Sequence, residues 1–138
     1  MLVARKSMTN DPKNEKYKYD VELIENFLNT EEIGDILLIN VELYSANLEK
    51  AVPFRDYLMK LFNSGKTKLI VNLSHSEYID STFLGSLVFV LKKMNAAKGE
   101  MRLVLGKSSK ASTMFEITNM NKVFKVFENV ENAKASFA

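Results

Sequence analysis

The 138-residue chain has no cysteine, one histidine, two prolines and five glycines. Without cysteine, disulfides, thiolate nucleophiles and Cys-based zinc sites are excluded. With His75 alone, and no paired carboxylates at ligand spacing, neither a metal nor another cofactor is expected. A Gly-rich phosphate loop is also missing: "LVLGKSS" (Leu103–Ser109) holds one glycine and lacks the P-loop spacing. No apolar run approaches the ~20 residues that span a bilayer. Met1 to Thr9 has neither the apolar region nor the cleavage site of a signal peptide. Membrane insertion is therefore not expected, and a cytoplasmic location is.

What is present suits one globular domain: 46% hydrophobic and 26% charged residues in a length that can close a core. The net charge of +2 hides an asymmetry. Residues 21–35 carry five acids and no base, whereas residues 81–138 carry nine bases and four acids. Solvated faces account for this, although such polarity can orient a partner. The lysines are not interleaved with aromatics on one element, which argues against nucleic acid.

Residues 1–25 are polar at first, without a period, and are expected to form a tail or extra element. Within them begins a weakly amphipathic stretch, "YDVELIENFL", that suits either a docking helix or disorder. Asn26 to Ile33 is a candidate strand, and Gly34-Asp35 turns it into "ILLINV" (Ile36–Val41) with antiparallel pairing. Pro53 suits a first helical turn, and Phe54, Tyr57, Leu58, Leu61 and Phe62 then recur at helical spacing up to Asn63-Ser64-Gly65. "TKLIVNLS" (Thr67–Ser74) reads as a central strand covered on both faces.

A helix from the Asp80 junction to about Ala97, closed by Lys98-Gly99, follows. Then come a strand at Met101–Gly106, a short helix capped by Ser108 or Ser109 through Ile117, a strand-like Lys122–Phe127 and a last helix capped by Asn129. Alternating strands and helices imply an α/β fold with crossover helices.

The junction "EYIDSTFLGSLVFV" (Glu77–Val90) carries the chemistry. On a helical wheel Phe83, Leu84, Leu87, Val88, Val90, Leu91 and Met94 share one face. Gly85, Ser86, Lys92 and Lys93 share the other, with Phe89 as an aromatic among them. Asp80, Ser81 and Thr82 are capping residues for a helix start. That same geometry tolerates a phosphate on Ser81, whose charge beside Asp80 and Glu77 would change what docks there. His75, Asp80 and Ser81 lie within seven residues, yet no G-x-S-x-G elbow accompanies them, so no enzyme is expected.

"LIVNLSHSEYIDSTFLGSLVFVLKKMNAAKGEMRLVLG" resembles the heart of the STAS domain, the fold of bacterial anti-sigma factor antagonists. Asn72-Leu73-Ser74 stands for that family's "DLS" strand end. Tyr78-Ile79 is its apolar pair, and Asp80-Ser81-Thr82-Phe83-Leu84-Gly85 its "DSTGLG" helix opening. "ITNMNKVFKVFENVENAKASF" is similar to its close, and the resemblance covers about Asn26 to Ala138. It implies an α/β STAS fold over residues 26–138, with a mixed, mainly parallel, four- to five-stranded sheet flanked by helices.

The resemblance further implies that an anti-sigma factor, a serine kinase of ATPase fold, binds the unphosphorylated chain and phosphorylates Ser81, and that a phosphatase reverses this. Asp80, Thr82, Phe83, Gly85, Phe89, Tyr44 and Ser45 are then the expected partner-binding residues. Phe83 stands where the family usually has glycine, adding bulk where a partner would approach. Asn72 replaces an Asp, and Tyr44 stands roughly where many antagonists carry an Asp. The alternatives are a STAS scaffold that binds proteins without phosphorylation, in a signalling or transport complex, and a nucleotide or lipid-ligand binder.

Overall fold

The computed structural model describes residues 26–137; the expectation for residues 1–25 lies outside them. Strand β1 (Leu28–Ile33) turns at Gly34, whose φ of +62° suits a residue without Cβ, into β2 (Ile36–Val41). The two pair antiparallel, with Ile33 opposite Ile36 and Leu28 opposite Val41. A two-residue β3 (Ser45–Ala46) precedes helix α1 (Leu48–Asn63), which leads to β4 (Lys68–Leu73). Then come β5 (Tyr78–Ile79), α2 (Ser81–Ala96), β6 (Glu100–Leu105), α3 (Lys110–Ile117), a 3-10 turn (Met120–Lys122), β7 (Lys125–Phe127) and α4 (Val130–Ala135).

The main sheet has the order β1-β2-β4-β6-β7, and every pair after the first is parallel. The mixed, mainly parallel sheet of four to five strands expected above is therefore present, with five strands. β3 and β5 form a separate two-stranded parallel sheet, an element the sequence reading did not contain.

One face of the main sheet carries the larger core. Leu37, Ile39, Leu69, Val71 and Leu103 meet Phe54 and Leu58 of α1, Leu87, Val90 and Met94 of α2, and Phe115 of α3. On the other face Ile36, Leu38, Ile70 and Val104 meet Ala133, Val130 and Phe137 at the C-terminus. This double coverage is why β2 and β4 read as unbroken apolar runs. Among the described residues no helix is long and apolar enough to cross a membrane.

Several boundaries differ from the sequence reading. Helix α1 starts five residues before Pro53, because Asn47 caps it with a side chain that accepts the Glu49 N–H at 3.1 Å. Pro53 instead sits inside the helix and is buried in the core. At the end of α2 the left-handed residue is Lys98 (φ 64°), not glycine. Its N–H reaches Asn95 O, and the Gly99 N–H reaches Met94 O at 2.7 Å, which together form a Schellman closure. Gly99 is needed for space: a Cβ there would lie 2.7 Å from Phe62 Cε1 and 3.3 Å from Thr67 O.

A three-rung amide ladder crosses the sheet. Asn72 Nδ2 donates to Asn40 Oδ1 at 2.8 Å, and Asn40 Nδ2 donates to Asn29 Oδ1 at 3.0 Å. Asn72 Oδ1 also accepts the Ser74 N–H at 3.1 Å. The Asn72 amide therefore supplies a donor that a carboxylate at this position would lack.

Candidate functional site

Three helix N-termini converge beyond the carboxyl ends of β2, β4 and β6, and two carboxylates tie them together. Asp80 Oδ1 accepts the Phe83 N–H of its own helix, α2, at 2.8 Å. Its Oδ2 accepts the Leu48 N–H at the start of α1, at 2.9 Å. Glu77 does the same for α3: its Oε2 accepts the Lys110 N–H at 3.0 Å and its carbonyl accepts the Ala111 N–H at 2.8 Å. Carboxylates in these places satisfy orphan donors and complement the positive ends of the helix dipoles.

The β3–β5 pair holds the carboxylates in position. Tyr44 O accepts the N–H groups of Glu77 and Tyr78, and Ala46 O accepts that of Asp80 at 2.9 Å. The buried Ser76 hydroxyl donates to Leu43 O at 2.6 Å, closing the same loop.

Ser81 is the first residue of α2 and is exposed, as are Thr82 and Gly85 along the same helix. A Cβ at Gly85 would meet nothing within 4 Å, so this part of the helix is open surface. Ser81 Oγ makes no hydrogen bond to a described residue. Of the first N–H groups of α2, that of Phe83 goes to Asp80 Oδ1 and that of Leu84 to Asp80 O.

Exposed apolar side chains lie on the elements beside Ser81. Tyr44 is 68% exposed and meets Tyr78 edge-on, ring centroids 5.7 Å apart. Ser45 is exposed next to it, opposite Tyr78 in the β3–β5 register. Leu48, at 64%, and Val52 lie one turn apart on the outer side of α1. Farther along the α1–α2 seam the exposed Phe89 ring has the Arg55 guanidinium 5.3 Å from its centroid and Lys93 Nζ at 5.5 Å. The aromatic on the polar side of α2 is thus flanked by two cations.

Phe83 is a correction. It is fully buried and stacks on Phe54 with centroids 4.7 Å apart, so it adds no bulk to the surface that a partner would approach. Its Cβ points along the core side of α2 together with Leu87 and Val90. Ser86, placed on the polar face by the helical wheel, is also buried and donates its hydroxyl to Ala51 O at 3.1 Å, pinning α2 to α1.

Leu48, Val52, Tyr78 and the bridging role of Glu77 were missed by sequence reasoning. Leu48 and Val52 carry a signal in their four-residue spacing, but a helix begun at Pro53 leaves them out. The grouping of His75, Asp80 and Ser81 does not assemble into a relay: both Asp80 oxygens are committed to backbone N–H groups, and His75 is exposed.

Comparison with known proteins agrees with this geometry. The model of the STAS domain family matches residues 27–133. A Thermotoga maritima protein described as a candidate anti-sigma factor antagonist is 32% identical over 99 residues, covering 71% of this chain and 84% of that protein. The anti-sigma-B factor antagonist of Staphylococcus aureus is 34% identical over 76 residues, 55% of this chain and 69% of that one. The crystal structure of a T. maritima protein of the same description superposes with a TM-score of 0.71 at 24% identity, covering 79% of this chain and 92% of that one. The Bacillus cell fate determinant SpoIIAA, solved in its phosphorylated form, shares the fold with a TM-score of 0.61 at 15% identity, over 80% of this chain and 99% of that one. With the matched region spanning the whole sheet and the Asp80–Ser81 helix junction, the chain belongs to the STAS domain family.

Proposed function

We propose that this chain is an anti-sigma factor antagonist that works by partner switching, with Ser81 as the phosphoacceptor. The observation that carries this reading is an exposed serine at the first position of α2, set among the exposed apolar side chains of Tyr44, Tyr78, Leu48 and Val52. An apolar surface of this kind favours docking of another protein. The names of the T. maritima and S. aureus relatives, and SpoIIAA solved both with and without its phosphate, support the same reading.

The partner is an anti-sigma factor that is also a serine kinase of ATPase fold, and Ser81 is its substrate. The Ser81 oxygen forms a bond to the γ-phosphorus of ATP while the β–γ bridging bond breaks. ADP leaves, and the hydroxyl proton passes to a base on the kinase. The phosphoryl group adds about −1.5 to −2 charges beside the Asp80 carboxylate and near Glu77. Repulsion and the cost of desolvating that charge against Tyr44, Tyr78 and Leu48 separate the complex. A phosphatase hydrolyses the ester and restores the docking surface.

The test is capture from the source organism's lysate with wild type, Ser81→Ala and Ser81→Asp, followed by mass spectrometry of Ser81. Wild type and Ser81→Ala should retain an ATPase-fold serine kinase, Ser81→Asp should lose it, and the wild-type chain should carry phosphate on Ser81. If all three retain the same proteins, the chain is a STAS scaffold that binds without phosphorylation. The edge-on Tyr44–Tyr78 pair, a neutral docking feature where an Asp is usual, is the observation that favours that second reading.

A further inference from the structure

Helices α1 and α2 lie side by side and run in the same direction. Successive contacts tie Leu48 to Asp80, Ala51 to Ser86 and Arg55 to Phe89. Both helices therefore start level with each other beside Ser81, and their outer seam runs away from it. Ser81, Gly85 and Phe89 follow one another a turn apart on the α2 side, as do Leu48, Val52 and Arg55 on the α1 side. At Gly85 the seam has no side chain, and a Cβ there would meet nothing within 4 Å. Two ridges with a low centre form a groove that can seat a third helix, since packed helix axes lie about 8–10 Å apart.

The two ends of this groove differ. Near Ser81 its exposed side chains are Leu48 and Val52. Eight residues farther along α2, about 12 Å, the Phe89 ring has the Arg55 guanidinium at 5.3 Å and Lys93 Nζ at 5.5 Å. Attraction to the ring holds both cations on the groove. Arg55 shares its charge with Asp56 at 3.2 Å, but Lys92 and Lys93 are exposed and have no ion-pair partner among the described residues. The far end is therefore positive and without a full countercharge of its own.

We propose that the groove takes an amphipathic helix of the anti-sigma factor, whose apolar side lies on Leu48, Val52 and Phe89 and whose acidic end pairs with Arg55 and Lys93. This rests on the partner-switching reading of Ser81 and adds the chemistry of the partner's segment to it. Helix-in-groove docking takes its affinity from apolar anchors a turn apart, and rim charges set orientation and association rate. The cations thus direct the acidic end away from Ser81 and leave an uncharged part of the partner helix beside the hydroxyl. A phosphate on Ser81 meets that uncharged part. It lies about 12 Å from Arg55 and Lys93, beyond the screening length of about 10 Å at 0.1 M salt, so they do not neutralise it.

The test uses the serine kinase that Ser81→Ala retains, purified, against the full chain, with Kd and association rate read at about 50 and 500 mM salt. Arg55→Gln combined with Lys93→Gln should bind about tenfold weaker at the lower salt, through slower association, and come within about threefold of wild type at the higher. Lys122→Gln combined with Lys125→Gln removes the same charge from exposed positions off the seam and should stay within about twofold of wild type throughout. Thermal melts confirm that both double variants fold. Wild-type binding by the Arg55 and Lys93 variant, or an equal loss in the Lys122 and Lys125 control, overturns the groove assignment and leaves switching at Ser81 standing. If no form of the chain retains a kinase, both readings fall. Sedimentation with phosphatidylglycerol vesicles that needs Arg55 and Lys93, with kinase binding unaffected by them, assigns these cations to a lipid surface and overturns the proposal.

Discussion

One Asp80 oxygen accepts the Leu48 N–H at 2.9 Å, from a residue 32 positions earlier, while the other caps Asp80's own helix at Phe83. A single carboxylate therefore sets the relative position of the two helices that flank Ser81. Asp80→Ala is expected to lose both caps and about 2 kcal/mol of stability in urea unfolding, since each cap contributes about 1 kcal/mol. Asp80→Asn keeps one acceptor and should lose about half as much. Amide exchange should then accelerate at either Leu48 or Phe83, but not at both.

Phe83 and Phe54 stack inside the core, which turns the family's usual glycine into a destabilising substitution here. Phe83→Ala should cost about 3–5 kcal/mol through the cavity it opens. Phe83→Gly should cost about 1 kcal/mol more for its helix propensity. Under conditions where the Ala variant remains folded, capture of the partner should be unchanged, because the ring is not part of the surface.

The α2 terminus separates two roles that one glycine often fills. Lys98→Gly should stabilise the chain by about 0.5–1 kcal/mol by relieving a left-handed backbone on a residue with a Cβ. Gly99→Ala should destabilise it by about 1 kcal/mol, because the new methyl meets the Phe62 ring and the Thr67 carbonyl. Thermal melts of both variants test the pair.

The β1–β2 turn is tethered to the start of β4 by two exposed ion pairs. The Lys66 ammonium hydrogen-bonds Glu32 and holds its carboxyl below the ordinary value of 4.5, and Lys68 does the same to Asp35 relative to 3.8. Asp35 in turn raises Lys68 above 10.5. The carboxylate contributions are complete above those ordinary values and fade as pH falls through the lowered folded ones. The Lys68 contribution is complete below its ordinary value and fades as pH rises through the raised one. Lys66→Ala and Lys68→Ala should therefore lower Tm at pH 7 but leave it nearly unchanged at pH 2. Salt should shrink the difference, as expected for exposed pairs.

Much of this architecture is written locally. The strands at Ile36–Val41 and Lys68–Leu73 are apolar on both faces, and Ser109 and Asn129 cap the helices that follow them. The Asp80-Ser81-Thr82 helix start was legible for the same reason: a cap involves a side chain and an N–H only two or three residues away. These features determined the α/β fold, the family and the place of Ser81.

Tertiary structure decided what depends on distant partners. The beginning of α1 rests partly on Asp80, the burial of Ser86 on an Ala51 carbonyl, and the placement of Phe83 on Phe54 in another helix. The apolar rim of Leu48, Val52 and Tyr78 around Ser81 became visible only when β3 and β5 paired and brought residues 44–52 beside residues 77–81. A one-dimensional pattern reports which side chains prefer water; which of them share a surface is set by contacts between segments that the pattern does not relate.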